Sequence, residues 1–76
     1  MKHHRPNLAR IRRRLGMTQE ELALSAATTQ RNVSYIESGR HKPKEETARS
    51  IYLALVSRDK RLAFTDLWPV RYMVSR

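Results

Sequence analysis

Gln30, Arg31, Ser34 and Tyr35 bring four hydrogen-bonding side chains into one short stretch of the chain. A glutamine amide carries a donor and an acceptor that match adenine N6 and N7, and a guanidinium fork matches guanine O6 and N7. A serine hydroxyl can contact several bases, and a tyrosine can pack on a thymine methyl or reach a phosphate. Spacing the residues about 100° apart on a helical wheel sets Arg31, Ser34, Tyr35 and Ser38 opposite Val33 and Ile36. Gln30 falls at the edge of that polar face. An ordinary solvated helix has such a face too, so the elements around it decide what it can do.

Other chemistries find less support. His3 and His4 have no acid or cysteine beside them, so no metal site is expected. Glu20 with Glu21 and Glu45 with Glu46 could pass for catalytic carboxylate pairs, yet capping and helix-dipole roles account for them. The chain has no cysteine, which removes disulfides and thiolate nucleophiles. Neither a nucleophile-and-base set nor a glycine-rich nucleotide loop is present. The expectation is therefore a protein with no catalytic residue, no cofactor and no enzyme activity.

The charge supplies the partner class. Sixteen Lys and Arg stand against seven Asp and Glu among 76 residues, for a formal net charge of +9. Lys2, Arg5, Arg10, Arg12, Arg13 and Arg14 fall within the first turns of the chain with no acid among them. Such an excess points to a polyanion, with nucleic acid ahead of an anionic membrane surface. The length suits one small domain with a modest core, which stands to gain stability from a second subunit or a ligand. No apolar run approaches the ~18 residues of a membrane-spanning helix, and no apolar segment of the signal-peptide kind follows the basic start. A cytoplasmic protein is expected.

The elements that must position the polar face read as helices. Leu8, Ile11 and Leu15 recur at helical spacing before Gly16, predicting a first helix over 7–15. Thr18 and Glu21 form a capping-box pattern that opens a second helix through about Ser25. Ala26-Ala27-Thr28 is a tight connection, and Thr29 caps a third helix to about Ser38, closed by Gly39. Pro43 can start a fourth helix, with Ala48, Ile51, Tyr52 and Leu55 as its apolar stripe. A fifth is expected over about Arg58 to Leu67, with Trp68-Pro69 ending it.

The run LGMTQEELALSAATTQRNVSYIESGRHKP, residues 15–43, resembles the helix-turn-helix of the Xre/Cro/CI family of bacterial and phage regulators. Met17-Thr-Gln-Glu-Glu-Leu-Ala23 and Val33-Ser-Tyr-Ile-Glu-Ser-Gly39 carry most of the likeness, which extends over about residues 7–67. The resemblance implies an all-α fold, a compact five-helix lambda-repressor-like domain with the motif at helices two and three. It divides the chain into a flexible basic arm at 1–6, a DNA-binding domain at 7–68 and a tail at 69–76.

The resemblance also assigns roles. Gln30, Arg31, Ser34 and Tyr35 would read bases, the third helix lying in the major groove of double-stranded DNA. Gln19, Asn32, Arg40, Lys42 and Lys44 would hold phosphates. Arg12 and Glu37 match a structural ion pair of related repressors, and on the wheels each flanks the apolar side of its helix. The tail is apolar for a chain end, and Leu67, Trp68, Tyr72, Met73 and Val74 are expected to join two copies in a homodimer. Lys2 and Arg5 could form an arm along DNA. Two positions depart from the family pattern: Ala27 stands where glycine with positive φ is usual, and Thr28 replaces an apolar residue.

A small phage or mobile-element repressor on an inverted-repeat operator is the implied function, without a small-molecule ligand or a membrane partner. An antitoxin, a restriction-modification controller, or an adaptor that binds protein or RNA through the same fold would share these features.

Overall fold

Side chains hydrogen-bonded to nearby amides decide where several of the helices begin. The computed structural model describes residues 5–74, the side chain of Val74 excepted, and these contain six helices and no strand. They are α1 (Leu8–Arg14), α2 (Gln19–Ser25), α3 (Gln30–Ser38), α4 (Glu45–Val56), α5 (Phe64–Leu67) and α6 (Val70–Val74). Thr18 Oγ1 accepts from the Glu21 N–H at 3.0 Å while the Thr18 N–H donates to Glu21 Oε1 at 2.8 Å, which completes the expected capping box. Thr29 Oγ1 accepts from the Asn32 N–H at 3.0 Å and starts α3. Helix α4 begins two residues later than Pro43, with Lys44 in the capping position.

The core is one cluster drawn from every helix. Leu8, Leu22, Val33, Ile36, Ile51, Leu55, Leu67 and Trp68 are wholly buried within it. Tyr52 borders it, donating its hydroxyl to the Leu62 carbonyl at 2.9 Å and meeting the Phe64 ring edge-on. Each such apolar side chain contributes roughly 1.5–3 kcal/mol by leaving water.

Helices α2 and α3 meet at a turn that needs a left-handed residue. Ala27 supplies it at φ 56°, and the Thr28 N–H donates to the Ala23 carbonyl at 2.9 Å. A side chain in that region costs about 1–2 kcal/mol. Gly39 closes α3 at φ 87°, where glycine carries no such cost.

The last third of the chain departs from expectation. A single helix over Arg58–Leu67 does not form, because Asp59 turns the chain first: its carboxylate accepts from the Arg61 N–H at 3.1 Å and from Arg14 Nη2 at 3.2 Å. Such side-chain capture of the backbone competes with helix. These bonds, the backbone one foremost, hold the Asp59 pKa below the usual carboxylate range. The short α5 starts only at Phe64, where Asp66 accepts from the Ala63 N–H at 2.7 Å. Trp68 before Pro69 is non-helical, and α6 then follows in place of an open tail.

Leu67, Trp68 and Tyr72, expected at a subunit contact, are buried in the chain's own core. The Trp68 indole N–H donates to the Ala48 carbonyl at 3.1 Å, and its ring stacks on Tyr72. Of that group only Met73 is exposed, and the Val74 side chain lies outside the described residues. At the other end Pro6 is buried, and the Asn7 N–H donates to the Leu67 carbonyl at 3.1 Å. Lys2, His3 and His4 lie outside the described residues, whereas Arg5 is exposed.

Candidate nucleic-acid interface

The site is built outward from a buried charge pair. Arg12, on α1, places Nε 2.6 Å from Glu37 Oε2 and Nη2 3.2 Å from Oε1, a two-pronged contact between side chains only 8% and 6% exposed. Arg12 Nη1 also donates to the Met17 carbonyl at 2.8 Å, just ahead of α2. One guanidinium therefore ties α1 to α3 and to the start of α2. Bidentate geometry and added hydrogen bonds are what such a buried pair requires to offset its desolvation.

Glu37 also orders the first residue of α2. Gln19 Nε2 donates to Glu37 Oε1 at 2.9 Å, and Gln19 Oε1 accepts from Gln30 Nε2 at 3.4 Å. A polar chain thus runs from buried Arg12 through Glu37 and Gln19 to Gln30 at the exposed beginning of α3. The Gln19–Gln30 contact, long at 3.4 Å and at the exposed end of this chain, biases the direction of the Gln30 amide. Fixing a donor and acceptor in advance lowers the ordering cost of recognition.

Gln30 and Arg31 are exposed, and Ser34 and Tyr35 are half-buried on the same helix. Val33 and Ile36, on the opposite side, are wholly buried, so the wheel's division of α3 holds in three dimensions. Asn32 is half-buried and donates its amide to Thr28 Oγ1 at 2.9 Å, which bridges the turn to the first turn of α3. Thr28, expected to depart from the family pattern, serves as the acceptor of that bond.

The loop after α3 is held against the exposed face of that helix. The N–H groups of Arg40 and His41 both donate to the Tyr35 carbonyl, at 2.8 and 3.2 Å. The Arg40 guanidinium lies 5.0 Å over the Tyr35 ring, and His41 meets that ring edge-on at 4.9 Å. Tyr35 is thereby a support for the loop as well as part of the outer face. Lys42 and Lys44 are exposed beyond it. The packing of His41 on Tyr35, and the polar chain linking Gln19 to Glu37, carry no sequence signal beyond the presence of those residue types.

Two short helices at a tight turn, the second with a buried apolar side and an exposed polar one, define a helix-turn-helix domain. The helix-turn-helix family of Cro/C1 type matches residues 8–55, and the chain belongs to it. It is a DNA-binding helix-turn-helix regulator, of a domain type that is regulatory and not catalytic. No curated protein gives a significant match. Among the described residues no helix is long and apolar enough to cross a membrane, and no group of three or more His, Asp or Glu could hold a metal ion.

Proposed function

We propose that the protein is a repressor that binds an inverted-repeat operator as a homodimer, with α3 of each copy in the major groove. One observation supports this above the others: Gln30 and Arg31 stand exposed at the start of α3 while their helix is anchored through the buried Arg12–Glu37 pair. In this reading Gln30 and Arg31 make bidentate base contacts, and Ser34 and Tyr35 add contacts to bases or a thymine methyl. Gln19, Asn32, Arg40, Lys42 and Lys44 hold the phosphates on either side and fix the register.

The body measures 33 × 26 × 22 Å. A body of this size can fit one half-site of an operator whose half-sites lie about 34–36 Å apart on one face of the duplex. A compact domain of this kind represses by occupying a promoter, so a phage or mobile-element setting fits it.

Selection from a randomised duplex library tests the reading. Recovery of a two-fold symmetric motif with half-sites about one helical turn apart is the expected result. No enrichment of any duplex would overturn it.

A further inference from the structure

Helix α6 lies beyond the region matched by the family, yet it touches the loop that follows the recognition helix. Lys42 Nζ lies 5.5 Å from the centroid of the Tyr72 ring and donates to the Met73 carbonyl at 3.5 Å. The ring is fixed from behind. Tyr72 is 3% exposed and stacks on Trp68, which is itself wholly buried and hydrogen-bonded to the Ala48 carbonyl. The phenol facing Lys42 is neutral at physiological pH, as any tyrosine is, and burial lifts its pKa further, to about 12.

We propose that α6 is a positioning element for DNA binding, with Tyr72 and the Met73 carbonyl holding Lys42 in the orientation from which it meets a phosphate. This rests on the DNA-contacting role of Lys42 given above. A lysine ammonium has three donors on a stem rich in rotamers, and ordering that stem at the moment of binding costs affinity. Here the ring face and the carbonyl order it beforehand. Lys42 is an exposed residue, so its ammonium lies at the surface where a phosphate can approach. The loop is then held at both ends, by Tyr35 through Arg40 and His41, and by α6 through Lys42.

The test is a double-mutant cycle on binding of the selected duplex by the full chain, with Tyr72→Leu and Lys42→Ala. Tyr72→Leu is expected to weaken binding roughly 2- to 12-fold, the ordering cost of one long side chain. Lys42→Ala should weaken it and flatten the salt dependence by about one phosphate contact. In the Lys42→Ala background Tyr72→Leu should have no further effect, and Tyr72→Phe, which keeps the ring, should bind as the parent does. Equal loss from Tyr72→Leu with and without Lys42 overturns the proposal, as does tighter binding by Tyr72→Leu.

A measurement on the unaltered protein guards against a variant that does not fold. The Lys42 ε-methylene protons should be shifted upfield by the Tyr72 ring in the NMR spectrum of the free protein, and a random-coil shift would overturn the proposal. If neither Lys42→Ala nor Gln30→Ala alters binding to any duplex, the DNA reading itself falls; if Lys42→Ala weakens binding and Tyr72→Leu does not, only the role of α6 falls.

Discussion

In the α1–α3 half of the molecule Glu37 gathers donors from Arg12 and Gln19, whereas in the α4–α6 half the anchors are rings, with Trp68 wholly buried and Tyr72 stacked on it. Charge-assisted hydrogen bonds fix direction, since each has a preferred geometry and a buried unpaired member is costly. Ring burial contributes more free energy per residue but is less particular about angle. The half that presents Gln30 uses the directional kind, and the half that completes the core uses the other. Orientation of the recognition face and overall stability are thus drawn largely from different parts of a small chain.

The largest effects should separate these two modes. Trp68→Ala removes the largest buried side chain and its hydrogen bond, and a loss of about 3–5 kcal/mol is expected in urea denaturation. Glu37→Ala strands the Arg12 charge at low exposure and should cost a similar ~3–5 kcal/mol. The two differ in how they can be repaired. Replacing both members, Arg12→Met with Glu37→Met, should recover most of that stability, because apolar residues of similar volume often substitute for a buried pair without net loss. DNA affinity should not recover with it, since Gln19 has lost the carboxylate that orients it. Equal recovery of stability and affinity would erase the contrast between the halves.

A smaller effect is expected at the turn that joins α2 to α3. Ala27→Gly relieves a side chain at φ 56° and should stabilise the fold by about 1 kcal/mol, visible as a higher urea midpoint. The last concerns Tyr72, whose titration has no effect at neutral pH. Burial raises its pKa to about 12, above the ordinary value for a tyrosine, so the folded state disfavours the phenolate. The stability this provides is fully present below pH ~10 and is lost as pH rises through the folded value. Ultraviolet titration should show Tyr72 ionising above the ordinary tyrosine range, together with unfolding of the α6 region.

How far the sequence reveals this arrangement depends on the range of the forces involved. The first four helices are legible because their signals are local: Thr18 with Glu21, Thr29 with the Asn32 amide, and apolar residues every three or four positions. The left-handed Ala27 is legible through the family pattern alone. The break at Asp59 escapes, since one carboxylate choosing the Arg61 amide leaves no trace in apolar spacing. Leu67, Trp68 and Tyr72 have a composition that suits a core as well as a subunit contact; only the space left beside Ala48 and the Lys42 loop assigns them to the core. At the candidate site the exposed face of α3 follows from its wheel. The chain from Arg12 to Gln30 and the hold of α6 on Lys42 join residues 11 to 31 positions apart, beyond the reach of periodicity.

The central claim is that Gln30 and Arg31 read bases while the loop residues grip the backbone. It is tested most directly by measuring Kd for Gln30→Ala and Arg31→Ala on the selected duplex and on all its single-base-pair variants, across a salt series. Each variant should lose about 1–3 kcal/mol of discrimination at its own base pair, keep its preference elsewhere, and retain the parent's salt slope. A uniform loss on every duplex, with a flatter salt slope, would make them phosphate contacts and contradict the account.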